Sequence, residues 1–289
     1  MSGTLDGKTC LVTGATNGVG LETAVGLAKL GGTVVMTARN EAKGKASLAD
    51  VISRSGSESV DLMMADFASM ASIRKFAEEF KKKYDRLEVV VNNAGAVNMS
   101  RSVTEDGFET TFGVNHLGYF LLTNLLLELV KSSAPARIVN VSSRAHSRAA
   151  MEFDDLNAEK SYSGFTVYGR SKLANVLFTY ELARRLEGTD VTANCLHPGV
   201  VRSGFGQNSN NGWLGILFKT FYTLAVPFSK SNAEGAETSI YLASSPEVEG
   251  VTGKYFADSQ EVPSSAASQD VEAQGRLWEV SEEMCNLTP

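Results

Sequence analysis

Short apolar runs alternate along this chain with longer stretches of helical period. Lys8–Thr13 reads as a first β run, and Thr33–Ala38, Val60–Ala65, Leu87–Val91, Arg137–Val141 and Val191–Leu196 repeat the pattern. Between them, apolar residues recur at helical spacing over Val19–Leu30, Glu41–Ser53, a segment from Ser69 as N-cap to Tyr84, Gly107–Lys131 and Phe165–Leu186. Further on, Ala233–Ser244 reads as helix, Lys254–Phe256 as a short last strand and Asp270–Met284 as a terminal helix. Strands that are apolar almost throughout, each followed by a helix, predict an α/β fold with a doubly wound parallel sheet covered on both faces. No linker interrupts the pattern, so 1–289 is expected to form a single domain, with ligands at the carboxyl ends of the strands. Ala145–Thr166 and Gln207–Ser229 lie outside the repeat, as does the Ser/Ala-rich tail after Val262.

Composition narrows the function classes. The chain has 289 residues, 43% of them apolar, enough to bury a large core without a disulfide or metal staple. A net charge of −6 argues against non-specific nucleic-acid binding. The three cysteines, Cys10, Cys195 and Cys285, show no metal-ligand spacing and no disulfide framework, which suggests a reducing, cytoplasmic setting. The first eight residues contain no apolar signal core, and no run of ~18 apolar residues predicts a spanning helix.

Candidate chemistry sits at two places. The first strand runs into Thr13-Gly14-Ala15-Thr16-Asn17-Gly18-Val19-Gly20 and then a helix. Glycines there permit a tight turn and close approach of a pyrophosphate, and the helix N-terminus offers free N–H groups to that anion. The second strand ends Thr37-Ala38-Arg39-Asn40, with no acid to bond a ribose 2′-hydroxyl. Arg39 can pair with a 2′-phosphate, with Lys43 nearby, so the cofactor is expected to be NADP(H). The second place is Tyr168 and Lys172, one helical turn apart on one face. A phenol ionises near pH ~10, and bringing it to neutrality requires about 4 kcal/mol. An ammonium group ~4 Å away at an effective dielectric of ~20 is worth about that much, so the pair is a candidate acid/base device.

Together with Asn92-Asn93-Ala94-Gly95, Asn115, Asn140-Val141-Ser142-Ser143 and His197-Pro198-Gly199, these motifs resemble the short-chain dehydrogenase/reductase family. The stretches Val141–His146, Ser171–Asn175, Glu181–Leu186 and Leu277-Trp278-Glu279 are most similar to its retinol dehydrogenase and WW-domain oxidoreductase branch. The resemblance covers nearly the whole chain. It implies a Rossmann fold of about seven strands, in the order 3-2-1-4-5-6-7. It assigns Tyr168 as proton donor and acceptor, and Lys172 to lower the Tyr168 pKa and hold the nicotinamide ribose. It gives Ser143 the substrate oxygen, with neighbouring Ser142 as the alternative, and Asn115 a water in a proton relay. The cofactor would contact Gly14, Thr16, Asn17, Gly18, Val19, Gly20, Arg39, Asn40, Asp66, Phe67, Asn92, Asn93, Ala94, Gly95, Tyr168, Lys172, Pro198, Gly199 and Val200. Asp66 would hold the adenine amino group and Asn93 would line the adenosine ribose. No metal is required, and His116, His146 and His197 read as structural or pocket-lining.

Substrate choice is expected from Ala96–Val103, Ala145–Phe165 and an apolar lid over about 204–229; a helical tail occupies about 263–289. The apolar run 213–228 also reads as a contact between copies of the chain or as a peripheral membrane contact. A lid of this kind suits a lipophilic aldehyde or ketone, or the matching alcohol, a retinoid among them. Two competing functions are an NADP(H)-binding regulatory protein without turnover and a C=C reductase of a tetrapyrrole.

Overall fold

The computed structural model describes residues 3–201 and 229–287. The expected lid, apart from Ser229, lies outside the described residues. The rest forms one sheet with helices on both sides, as the repeat of strands and helices predicts. Its strands are β1 (Thr9–Val12), β2 (Thr33–Ala38), β3 (Val60–Met64), β4 (Val89–Asn92), β5 (Ala136–Val141), β6 (Val191–Leu196), β7 (Tyr255–Ala257) and β8 (Gln260–Glu261). They lie in the order β3-β2-β1-β4-β5-β6-β7-β8. All neighbours are parallel except β8, which turns back on β7 with Phe256 opposite Glu261. This two-residue strand is the one element absent from the expected order, because two exposed polar residues carry no strand signal.

The helices are α1 (Gly18–Lys29), α2 (Glu41–Ser55), α3 (Met70–Lys83), α4 (Thr110–Phe112), α5 (Gly118–Ser132), α6 (Gly164–Arg185), α7 (Asn232–Ser244) and α8 (Val271–Met284). The central strands feed both cores, because successive side chains point to opposite faces. Leu11, Val90 and Ile138 pack on one side with Phe76 of α3, Leu122 of α5, Leu177 of α6 and Trp278 of α8. Val12, Val91 and Val139 pack on the other with Leu27 of α1, Val51 of α2 and Leu242 of α7. That double burial is why the strands read as unbroken apolar runs.

The predicted helix Gly107–Lys131 starts later and is not uniform. Gly107, at φ +87°, belongs to the preceding turn, and the Glu109 carboxylate caps α4 by accepting from Thr111 and Phe112 N–H. A π-turn, Gly113–Leu117, then joins α4 to α5, with Gly118 N–H bonded to the Gly113 carbonyl. Such turns gather at functional sites, and Asn115 sits within this one. Ser69 caps α3 as expected, accepting from Ser72 N–H. The tail is held by Trp278, which meets Phe120 edge-on at 4.9 Å and lies under the Arg185 guanidinium at 4.2 Å. Cys10, Cys195 and Cys285 are free, buried thiols.

Candidate active site

The turn after β1 is built around two contacts that exclude side chains. Gly14 has φ +64°, and a Cβ there would lie 2.7 Å from the Cα of Ala94. A Cβ on Gly20 would lie 2.3 Å from Asn93 Nδ2 and 2.6 Å from the Gly14 carbonyl oxygen. Asn93 clamps this turn, donating from Nδ2 to the carbonyls of Thr13 (2.9 Å) and Gly14 (3.2 Å). The Thr13 hydroxyl accepts from the N–H groups of Asn93 (2.8 Å) and Ala94 (2.9 Å). Asn17 then leads into α1 without capping it, and the first turn of α1 carries no acid. The N–H groups and positive end of the helix dipole are left to an anion at this turn.

These elements open on a cleft of about 460 Å³ at the carboxyl ends of the strands. Gly14, Thr16, Asn17, Gly18, Val19 and Gly20 line it, as do Arg39, Asp66, Phe67, Asn93, Ala94, Gly95, Pro198 and Gly199. Ser143, Tyr168 and Lys172 line the same cleft. A larger hollow of about 1060 Å³ lies at the opposite end, around Arg137, Arg184 and Asp190, and holds none of these residues. The cleft fits a dinucleotide in the chemistry of its walls: an uncapped helix N-terminus, close backbone and an arginine in place of an acid.

Four expected site residues do not line the cleft. Asn40 caps α2, accepting from Lys43 N–H at 2.9 Å. Asn92 is buried between strands, donating to Asn140 Oδ1 (2.8 Å) and the Thr123 hydroxyl (3.0 Å). Val200 is half exposed, and Val201 lines the cleft instead. Asn115 lies behind the cleft with its side chain bonded at both ends: Oδ1 accepts from Ala96 N–H (2.7 Å), and Nδ2 donates to the Ala96 carbonyl (2.9 Å) and the Ser171 hydroxyl (3.0 Å). That side chain fixes the loop after β4. Val114, Thr110 and Val141 line the cleft without having been expected there. Nothing in the sequence marks Val114 or Thr110, because the π-turn decides which residues of this stretch face inward.

The two adjacent serines are sorted by their hydrogen bonds. Ser142 is buried and donates to the main-chain carbonyl of Lys172 at 2.7 Å. The Ser143 hydroxyl accepts from Ala145 N–H at 3.2 Å, which leaves its own proton for the hydrogen bond that it shares with Tyr168. Lys172, 3% exposed, donates from Nζ to the Val141 carbonyl at 3.0 Å. Its ammonium group sits between two phenol rings, 5.5 Å from the centroid of Tyr119 and 5.9 Å from that of Tyr168.

Burial governs the electrostatics of this pair. Burial pushes Lys172 down to about 7, and burial also pushes Tyr168 above its ordinary value, against the pull of the Ser143 hydrogen bond. Removal from water disfavours the charged form of each, which raises a phenol and lowers an ammonium. At neutral pH the proton stays on Tyr168. Burial likewise lowers His116 to about 3 and His197 to about 4. His116 Nε2 meets the Ser281 hydroxyl at 2.9 Å, and His197 Nδ1 accepts from Gly199 N–H at 3.0 Å. These bonds hold both rings in place. Among the described residues no group of His, Cys, Asp or Glu can hold a metal ion. No helix among them is long and apolar enough to cross a membrane.

A parallel sheet with a glycine turn at its first strand and a Ser–Tyr–Lys set beside the same cleft places the chain in the short-chain dehydrogenase family of oxidoreductases, whose model matches residues 8–212. Within it the chain is similar to the retinol dehydrogenase branch. Retinol dehydrogenase 14 of Homo sapiens is 46% identical over 299 residues, covering 99% of this chain and 88% of the relative. Among solved structures, an uncharacterised protein from Mycobacterium paratuberculosis has a TM-score of 0.77 at 32% identity, covering 97% of this chain and 94% of that one. The Pseudomonas aeruginosa RhlG/NADP active-site complex has a TM-score of 0.70 at 26% identity, covering 89% and 96%.

Proposed function

We propose that the protein is an NADP(H)-dependent oxidoreductase that interconverts a lipophilic aldehyde or ketone and its alcohol. The observation that carries this reading is the convergence of Ser143, Tyr168 and Lys172 on the cleft that also holds the Gly14–Gly20 turn and Arg39. Arg39 stands where an acid would select NAD, and its guanidinium suits a 2′-phosphate. The glycine turn and the start of α1 would hold the pyrophosphate, and Asp66 and Phe67, which line the cleft, would face the adenine. Similarity to RhlG, solved with NADP, supports the same cofactor.

A bound nicotinamide supplies or takes the hydride. The chain supplies the proton and the oxygen site. Tyr168, held neutral by burial, has the form that donates to a carbonyl oxygen. Ser143 offers a second preformed donor to the charge that develops on that oxygen. Lys172 Nζ lies over the Tyr168 ring, 5.9 Å from its centroid, where it would also reach the nicotinamide ribose.

Similarity to the retinol dehydrogenases and the apolar sequence between 213 and 228 support a retinoid-like substrate. The three buried thiols support a reducing, cytoplasmic setting. The test is NADPH consumption with retinaldehyde and with aliphatic and aromatic aldehydes and ketones, comparing wild type with Tyr168→Phe. The variant is expected to bind NADPH as wild type does and to lose about 10²–10⁴-fold in turnover. Full turnover by Tyr168→Phe overturns the assignment.

A further inference from the structure

His146 closes a short turn that begins at Ser143, and it is 3% exposed. Both nitrogens of its ring are engaged. Nε2 lies 3.2 Å from the backbone N–H of Ser265, and Nδ1 lies 2.7 Å from the carbonyl oxygen of Ser143. A backbone N–H only donates, so Nε2 is the acceptor and the single ring proton of the neutral imidazole sits on Nδ1. That proton is donated to the Ser143 carbonyl, which also accepts the His146 backbone N–H at 3.1 Å. Two donors from one residue thus hold the Ser143 peptide. The neutral form is the one that burial favours.

Ser265 belongs to the tail. Next to it, Ser264 accepts from Tyr180 Oη at 2.7 Å, and Ser268 donates to the Ser265 carbonyl at 2.6 Å before Asp270 caps α8. On its other side the imidazole packs on Tyr255 of β7 at 4.7 Å between centroids, with Tyr255 Oη 3.2 Å from Nδ1. The ring is therefore fixed by three separate parts of the fold: the turn after β5, strand β7 and the tail.

We propose that His146 is the positioning residue for Ser143. Through one tautomer, its ring transmits the docking of the C-terminal segment to the serine that faces the substrate oxygen. The sequence offered His146 only as a histidine near the cleft; the tautomer follows from the tail's N–H. This inference rests on the proposed carbonyl chemistry for its kinetic arm alone.

The test compares wild type, His146→Ala and His146→Asn. Three measurements are made: amide exchange at Ser265, NADPH affinity by fluorescence titration, and kcat and KM for carbonyl reduction. In His146→Ala, Ser265 exchange rises and kcat falls, each by about 10-fold, the effect of one hydrogen bond, while NADPH affinity is unchanged. In His146→Asn the side-chain N–H takes the place of Nδ1–H. It restores kcat, whereas Ser265 exchange stays fast because nothing replaces Nε2. In wild type, the ring ¹⁵N shifts show a protonated Nδ1 and a bare Nε2. Unchanged kcat in His146→Ala, failure of His146→Asn to recover it, or the opposite tautomer would each overturn the proposal. If His146→Ala does not fold, the ring shifts and His146→Asn alone decide it. If wild type reduces no carbonyl, the proposed function fails while exchange and ring shifts still judge the hydrogen bonds.

Discussion

Ser142 donates its hydroxyl to the main-chain carbonyl of Lys172 at 2.7 Å, so one of the two adjacent serines at the cleft braces α6 while the other keeps its hydroxyl for Tyr168. Only a hydrogen-bond inventory separates them. Ser143→Ala removes a preformed donor and is expected to lower kcat by about 10²-fold with little change in stability. Ser142→Ala is expected to cost about 1–2 kcal/mol of stability and to affect kcat less. Steady-state kinetics beside urea melts of both variants check the contrast, and equal loss of kcat in the two would contradict it.

Lys172 is a buried cation with one hydrogen-bond acceptor, and burial lowers its pKa from 10.5 to about 7. Between those values the unfolded chain holds a proton that the folded chain has released. The contribution of this group to stability therefore rises with pH from about 7 towards 10.5. Lys172→Met is expected to raise stability at pH 6 by about 1–4 kcal/mol and to abolish turnover. That gain should shrink in thermal or urea melts at pH 9.5. A destabilised variant at pH 6 would show that the ammonium group supports the fold instead.

Arg39 is exposed at the rim of the cleft, so its replacement leaves the core untouched. Arg39→Asp is expected to weaken NADPH by about 10–100-fold, through loss of a charge-assisted pair and repulsion of the 2′-phosphate. NADH affinity should hold or improve. An unaltered ratio of the two kcat/KM values would remove the basis for NADP preference.

Gly20 allows α1 to pass against Asn93 and the Gly14 carbonyl with no room for a methyl group. Gly20→Ala is expected to cost about 1–3 kcal/mol and to weaken nucleotide binding by displacing the turn. Isothermal titration and denaturant melts would show both effects together. Wild-type affinity in this variant would mean that the turn tolerates displacement.

The parallel sheet and most helix limits were legible because their cause is local in sequence, while the strand order came from the family resemblance. Strands buried on both faces must be apolar throughout, as Val89–Val91 are, and a helix such as α6 must repeat its apolar positions. Tyr168 and Lys172 shared a face for the same reason. The sequence also marked the Gly14–Gly20 turn, since only glycine permits those backbone approaches. It could not show β8, whose pairing with β7 depends on a hairpin and not on side chains.

Tertiary structure alone decided the rest of the site. It sent Asn92 into the sheet and Asn115 to the loop after β4, because a buried amide must bond whatever neighbours the fold provides. Burial also pushes Lys172 down and Tyr168 up, since desolvation depends on what packs around the pair. The sequence by itself determined which residues line up along each strand and helix. Which charges lose water, and which polar groups meet across the chain, was settled only by packing, because contacts such as His146 with Ser265 join residues that no local pattern connects.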